Sequence, residues 1–552
     1  MRGVGQRIAF ATPALAMIAA TGWAVLPASG LSAQSDTAGD FGERCVALAG
    51  QALPDMVISA AEVIAAGHLA MPGPAAAQPG PVLPEHCRVR GTINPRTGHG
   101  GKSFGIGFEL RLPAEWNGRF LFQGGGGMDG VVQAAIGNIA NSTGQPALQR
   151  GFAVVTTDAG HSGSPVDATF GLDQQARIDY AYNALDKVTV EAKRMVAAFY
   201  GSAPRYSYML GCSNGGRQAL TIAQRMPLYY DGIVAGAPAM RFSGLAVGQV
   251  WNQSVLAHAA PRGPDGRPII SRAFSDSDLK LVRGAVLKQC DARDGLEDGL
   301  INDWQNCDFD PRDLVCTGGK NDSCLAPDQV QVLHDLYRGP LASDGSHIYG
   351  PFNYDTGIAS PAWRGIRLGS SETGESNAGD ATLGGGQLRY YQLTPPDPDF
   401  DVMGPYDLAE IWRRVQATGA MGDANSAFLS TFAARGKLIV YNGLSDQGMS
   451  TPVIADWYDR MVAATGEEGR NAVRLFPVPG MLHCGGGEAT DRFEMLDAIM
   501  DWVERGKAPD RIVATSSTLE GISRPLCPYP SIARYKGGDP KEAASFECSK
   551  VS

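Results

Sequence analysis

The chain is predicted to be an α/β protein with a mainly parallel sheet and a large inserted domain, on three observations. Short apolar runs of strand length alternate with segments of helical period through the first part of the chain. Between about residues 240 and 425 the period fades into a stretch rich in Gly, Asp, Pro and Ser that holds four of the ten cysteines. Strand and helix patterns then resume. Strands that alternate with helices argue for parallel pairing, and an irregular interval between two such blocks argues for an insertion.

The elements follow in order. Residues 104–112 alternate in polarity, and 119–123 form a short apolar strand that ends in four glycines. Residues 152–157 read as the next strand. From 176 to 200 apolar residues recur at helical spacing: Ile178, Ala181, Leu185, Val188, Ala192, Val196 and Phe199. A strand at 206–210, a tight turn, a helix over about 216–226 and a buried strand at 233–237 complete the first block. Strands at 437–441 and 473–478 and a helix near 493–505 make the second. The expected division is 34–239 and 426–552 for two parts of one core, with 240–425 inserted between them.

Residues 1–33 read as a signal peptide. Arg2 and Arg7 precede an apolar run to about Leu26, and Leu31-Ser32-Ala33 offers a cleavage point before Gln34. Pro13 and Pro27 interrupt or bound the run, which counts against a membrane anchor. No later stretch is long and apolar enough to span a bilayer, so stable membrane association is not expected. The expected location is outside the cytoplasm, periplasmic or secreted. A chain of 552 residues at 44% hydrophobic and 19% charged can bury a sizeable core. Its net charge of −10, with no basic run, excludes nucleic acid as an expected partner.

The strongest chemical signal is Gly211-Cys212-Ser213-Asn214-Gly215, a G-x-S-x-G between a strand and a helix. That is the setting of a nucleophile elbow, where small residues allow a sharp turn and the helix N-terminus faces developing negative charge. A serine nucleophile needs a base, and the base needs an orienter. In α/β-hydrolases these follow in the order Ser, Asp or Glu, His. His483 is the only histidine after residue 347, and it sits in a loop after the 473–478 strand. Asp446 sits in a loop after the 437–441 strand. Asp456 and Asp491 are poorer orienters because they fall in or at the start of helices. The expected oxyanion donors are the N–H of Asn214 and that of Gly126 or Gly127, where glycine lets the backbone approach substrate. Gly125, Gly127 and Gly130, with Asp158 beyond, also match a dinucleotide-binding pattern; export counts against that reading.

Ten cysteines suit an oxidising compartment. Sequential neighbours would pair Cys45 with Cys87, Cys290 with Cys307, Cys316 with Cys324 and Cys527 with Cys548, though arithmetic alone does not choose a pattern. Cys212 and Cys484 remain, one beside the serine and one beside the histidine. A single geometry satisfies both a disulfide and a Ser213–His483 hydrogen bond.

The combination of Cys-Ser-x-Gly-Gly-Arg at 212–217, Gly-x-x-Asp at 443–446 and His-Cys at 483–484 resembles the tannase and feruloyl esterase family. The likeness runs from about Cys45 to Cys548 and includes Trp116-Asn117-Gly118-Arg119-Phe120. It implies an α/β-hydrolase core, a lid between the nucleophile and acid strands, the Cys212–Cys484 bond and the four other pairings. It also implies a structural Ca²⁺ site in the lid, at carboxylates Asp291, Asp294 and Asp298 and carbonyls of Leu296 and Leu300. Acidic residues and glycines in this stretch suit a hard cation. No organic cofactor is implied. The expected activity is a serine carboxylic ester hydrolase of feruloyl esterase or tannase type, acting on small aromatic acid esters. A terephthalate monoester is the alternative substrate, with Arg389 a possible partner for its carboxylate. A binding protein on a hydrolase fold is the alternative of another class; the complete triad argues against it.

Overall fold

The centre of the chain is one sheet whose inner strands are buried on both faces, so their sequences are nearly continuous apolar runs. A computed structural model describes residues 41–50, 55–70, 79–139 and 141–550; the predicted signal peptide lies outside them. Nine strands form the main sheet: β1 (Met56–Ile64), β2 (His86–Thr97), β3 (Ser103–Pro113), β4 (Arg119–Gln123), β5 (Ala153–Thr157), β6 (Tyr206–Cys212), β7 (Gly232–Gly236), β8 (Lys437–Gly443) and β9 (Val473–Val478). Their order is β1-β2-β3-β5-β4-β6-β7-β8-β9. From β5 to β9 every pairing is parallel, whereas β1, β2 and β3 are joined to one another and to β5 antiparallel. The sheet is mainly parallel, as predicted, and its antiparallel edge includes β1 and β2, for which no strand was expected.

Alternate residues of each inner strand serve opposite layers. Met209, Ile233 and Val440 join a core with α1 (Ala184–Tyr200), α2 (Asn214–Arg225) and α5 (Thr451–Ala472). Tyr208, Leu210, Val234 and Ile439 join a second core with α6 (Met495–Arg505), through Ile499 and Trp502. The predicted 176–200 helix is interrupted. A short helix at Gln174–Ile178 passes through a π-turn, Asp179–Asn183, into α1. The π-turn shifts the helical phase, so Tyr180 and Ala181 are both buried, although only Ala181 lies on the apolar stripe.

Between β7 and β8 the chain adds no strand to the main sheet among the described residues. It contains α3 (Phe242–Leu256) and α4 (Asp276–Cys290) and builds its own core around Phe274, Leu279, Val282, Leu333 and Trp363. All ten cysteines pair, as Cys45–Cys87, Cys212–Cys484, Cys290–Cys307, Cys316–Cys324 and Cys527–Cys548. Among the described residues no helix is long and apolar enough to cross a membrane.

A buried ion pair ties this inserted segment to the sheet. Arg367 Nη1 lies 2.7 Å from Asp380 Oδ2, with side chains 6% and 0% exposed. Asn252 Nδ2 of α3 donates to the same oxygen at 3.0 Å, and Arg367 Nη2 donates to the carbonyl of Gln447, in the loop after β8. Burial lifts the Asp380 carboxyl above its ordinary range and Arg367 opposes that, so the carboxylate depends on the guanidinium for its charge. Removing one partner of such a pair leaves an uncompensated buried group. Arg367→Met is expected to cost about 3–5 kcal/mol. Adding Asp380→Leu should recover part of that loss. Urea unfolding followed by circular dichroism measures both.

Candidate active site

Ser213 is where the fold concentrates strain. It follows β6 and caps α2 with φ 65° and ψ −124°, a region that L-residues with a Cβ rarely occupy. The turn closes because its neighbours are glycines. A Cβ on Gly211 would lie 2.4 Å from the Gly215 carbonyl carbon, and one on Gly215 would lie 2.6 Å from the Gly125 oxygen. The N–H of Ser213 donates to Gly236 O at 3.0 Å, which anchors the turn on the end of β7.

The loops after β8 and β9 bring their side chains to this turn. His483 Nε2 stands 2.9 Å from Ser213 Oγ, and His483 Nδ1 stands 2.8 Å from Asp446 Oδ2. The other Asp446 oxygen accepts the N–H groups of Gly448 and Met449 at 2.8 and 2.9 Å. Burial alone would lower the His483 pKa, but the charge and hydrogen bond of Asp446 outweigh it, and the net shift is upward from 6.5. A hydroxyl, an imidazole and a carboxylate in this order can move a proton off the serine and hold the resulting imidazolium. Cys212 and Cys484 are bonded across the same turn, with Cα atoms 6.1 Å apart. Asp456 pairs with Arg460 on the surface of α5, and Asp491 accepts from Gly486 and Ser517; neither approaches the imidazole.

The glycine loop after β4 lies opposite. Its N–H groups at Gly124, Gly125, Met128, Asp129 and Gly130 all donate within the protein. Among the described residues no hydrogen bond uses the N–H of Gly126 or Gly127. Gly127 lines the cleft above Ser213, has φ +57°, and has no room for a Cβ, which would lie 2.3 Å from Pro165 O. Asn214 is the first residue of α2, so its N–H lacks an intrahelical acceptor. No helix begins at this glycine loop, and Asp158 is buried, accepting from Gly107 and Gly160. The pattern of Gly125, Gly127 and Gly130 therefore lacks the helix N-terminus and the acidic residue of a dinucleotide site.

About 580 Å³ of space, the open solvent at its mouth included, lies over Ser213 in this cleft. Phe242, Leu245 and Gln249 contribute one face of α3, and Ile366, Leu383 and Gln387 close it from the rest of the inserted segment. Among the described residues no lysine, arginine, aspartate or glutamate lines it. Arg389 points elsewhere, donating to the Phe400 carbonyl at 2.7 Å. Gln249 Oε1 is buried with no hydrogen-bond partner among the described residues.

Asp291, Asp294 and Asp298 lie in the turn after α4, bracketed by the Cys290–Cys307 bond. Asp291 accepts the N–H groups of Asp298 and Gly299, Asp294 accepts from Leu296 and Asn302, and Asp298 accepts from Arg524. Among the described residues no group of three or more His, Cys, Asp or Glu side chains is placed to hold a metal ion by itself.

Sequence reasoning passed over Asp129, Tyr180 and Gln218, which back the glycine loop. Tyr180 Oη donates to Gly127 O at 3.0 Å, and the Gln218 amide bridges Gly125 N to Asp129. The one available signal was the acidic residue in Gly-Gly-Met-Asp-Gly, a short apolar-flanked loop where a charge has no solvent-facing reason to sit.

The family description "tannase and feruloyl esterase" matches residues 87–549. The mono(2-hydroxyethyl) terephthalate hydrolase of Piscinibacter sakaiensis is 41% identical over 522 residues, 85% of each chain. A probable feruloyl esterase of Arthroderma benhamiae is 29% identical over 464 residues, 80% of this chain and 82% of that one. The crystal structure of feruloyl esterase B from Aspergillus oryzae superposes with a TM-score of 0.76 at 25% identity, covering 92% of this chain and all of the other. With this fold, this extent of match and these esterase relatives, the chain is a carboxylic ester hydrolase and belongs to the tannase and feruloyl esterase family.

Proposed function

We propose that the protein is an exported serine esterase that cleaves esters of neutral aromatic acids through an acyl-enzyme. The observation that carries this reading is the hydrogen-bonded line Ser213–His483–Asp446 at the floor of a cleft without ionic side chains. Ser213 Oγ attacks the ester carbonyl carbon as His483 Nε2 takes its proton. The carbonyl oxygen becomes an oxyanion facing the N–H groups of Asn214 and of Gly127 or Gly126. Collapse breaks the bond to the alkoxy oxygen, which leaves as alcohol with the proton from His483. Water repeats the sequence on the acyl-enzyme and releases the acid. Export rests on the five disulfides and on the signal-like residues 1–33.

The inserted segment acts as the lid and sets the acyl group. Phe242, Leu245, Ile366 and Leu383 suit an aromatic ring, and the free Gln249 oxygen suits a ring hydroxyl, as in ferulate or gallate. A terephthalate monoester is the second reading, favoured by the 41% identical relative. Its free carboxylate would meet no cation in the cleft, and an unpaired buried charge is costly. Purified protein is expected to hydrolyse methyl ferulate or methyl gallate with higher kcat/KM than a terephthalate monoester, and Ser213→Ala is expected to remove nearly all of either activity. A faster terephthalate reaction would reverse the order of the two readings, and an active Ser213→Ala protein would end both.

A pH dependence follows from His483. The base works only when neutral, and its pKa is raised from 6.5 by Asp446. As pH falls through that raised value the imidazole gains a proton and can no longer accept one from Ser213. The acid limb of kcat/KM is therefore expected to have its midpoint above 6.5. A pH–rate profile with a p-nitrophenyl ester reads it directly, and a midpoint below that value would contradict the pairing.

For calcium, the support is chemical. Burial lifts the Asp294 carboxyl to about 6, and the nearby Asp298 adds to the rise; burial also raises Asp291, and Asp298 and Glu297 add to that. A hard divalent cation would relieve this mutual repulsion, with Asp291, Asp294 and Asp298 supplying carboxylates and Leu296 and Leu300 supplying carbonyl oxygens. Its work would be structural, holding the turn after α4. Chelation is expected to lower Tm, since a ligand bound only to the folded state stabilises it by mass action. An unchanged melting curve after elemental analysis shows the metal removed would count against the site.

A further inference from the structure

Asp129 stands behind the glycine loop, 3% exposed, and no step above uses it. Its Oδ1 accepts a hydrogen bond from Asn214 Nδ2, and its Oδ2 accepts one from Gln218 Nε2 at 2.7 Å. Each amide is held at its other end by a group that can only donate. Arg217 Nε donates to Asn214 Oδ1 at 2.7 Å, and the Gly125 N–H donates to Gln218 Oε1 at 3.0 Å. Two chains of hydrogen bonds, one from the nucleophile helix and one from the glycine loop, thus run in the same sense and end on one carboxylate. A carboxylate accepts from both; an amide or a carboxylic acid in its place would set one donor against another.

The geometry points to Asp129 as the positioning residue of the oxyanion hole, holding the Asn214 peptide and the glycine loop in fixed register. The inference rests on the serine esterase reading, in which those two segments supply the oxyanion donors. Burial pushes the Asp129 carboxyl up to about 7, and the Gln218 and Asn214 hydrogen bonds and the Arg217 charge oppose the rise. The other carboxyl facing it, Asp158, is held by backbone N–H groups of Gly107 and Gly160. Among the described residues Arg217 forms no direct ion pair; its charge acts on Asp129, to which it is relayed through the Asn214 amide, and on Asp423.

The oxyanion exists in the transition state and not in the bound ester. Drift of its donors should therefore lower kcat and leave KM nearly unchanged. Losing one oxyanion donor costs about 100-fold to 1,000-fold, and displacing one costs less. Asp129→Asn is expected to lower kcat on a p-nitrophenyl ester by at least about tenfold, with KM within about threefold. Asn214→Asp, which sets two carboxylates face to face, should do the same. The double variant exchanges the partners. The amide now at position 129 would accept from Gln218 and donate to the carboxylate now at position 214, which would still accept from Arg217. Its kcat is expected to return to within about threefold of wild type.

That restoration separates positioning from a loss of fold, and circular dichroism checks each variant. A folded Asp129→Asn protein with kcat within about twofold of wild type would overturn the inference. So would a double variant no faster than Asn214→Asp alone, a comparison that holds even if Asp129→Asn does not fold. Ser213→Ala run alongside distinguishes the two levels. A wild type no faster than Ser213→Ala would remove the serine reading and this inference with it, whereas a Ser213-dependent wild type leaves only Asp129 on trial.

Discussion

A buried guanidinium organises the end of the sheet that carries Ser213. Arg217 is fully enclosed in the first turns of α2, and its hydrogen bonds reach three separate segments. Nε holds the Asn214 side chain, Nη1 donates to the carbonyls of Ala181 and Gly422, and Nη2 donates to that of Tyr180. Its plane lies over the rings of Tyr180 and Phe242. Two of those carbonyls belong to the π-turn before α1, where the widened helix loosens its own backbone bonding and leaves oxygens for an outside donor. A lysine could not serve here, because a point charge cannot donate in the several fixed directions of one plane. The π-turn, α2 and the end of the inserted segment are thus pinned to one rigid group, and Tyr180 carries the constraint on to the Gly127 carbonyl.

This pinning has to offset strain. Ser213 and Cys484 both have positive φ without being glycine. Neither conformation would persist without surroundings that over-determine it. The disulfide between residue 212 and residue 484 joins the two strained turns directly, across 272 positions of sequence. In the chain-entropy account a loop that long is worth more than about 4 kcal/mol, although measured values run lower. Its geometric effect matters more for reactivity. The serine and histidine loops belong to strands separated by the whole inserted segment, and the covalent link removes the relative motion that this segment could otherwise impose.

Legibility from sequence followed the range of each interaction. Ser213, Asp446 and His483 could be read because each sits in a local signature: a glycine-flanked turn, or a loop just past a short apolar strand. The cysteine partners could be read because two of them adjoin those same residues. The antiparallel strands β1 and β2 were passed over, although in β2 Cys87, Val89, Gly91 and Ile93 alternate with Arg88, Arg90, Thr92 and Asn94 and are buried; the three arginines Arg88, Arg90 and Arg96 masked that signal. Some of that charge is neutralised across the sheet, as where Arg90 meets the fully buried Glu109. Tyr180 was missed because a π-turn shifts the helical phase that periodicity depends on. Asp129 was missed because its purpose appears only when Asn214 and Gln218, 85 and 89 residues away, fold against it. Arg389, which the sequence left open as either a carboxylate partner or a surface residue, donates to the Phe400 carbonyl, a contact that no local pattern announces.

The cleft and the acid loop share a foundation, which limits how each can vary. Gln249 and Asn252 stand about one helical turn apart on α3; the first lines the cleft, and the second donates to Asp380. Asp380 pairs with Arg367, and Arg367 donates to the Gln447 carbonyl, next to Asp446. Ser445, on the other side of Asp446, is tied to Asp355 and to the N–H of Gly357, both in the inserted segment. A change at Asn252 on α3 therefore acts on a charge network whose far end sets the backbone beside Asp446. An apolar substitution at Leu245 or Leu383 avoids that network, because neither contributes a polar atom to it. Altering Asn252 would withdraw a hydrogen bond from the buried Asp380 carboxylate, and the cost would fall on the acid loop. The apolar wall of the cleft can thus vary without disturbing the acid loop, whereas the polar positions of α3 that reach Asp380 cannot.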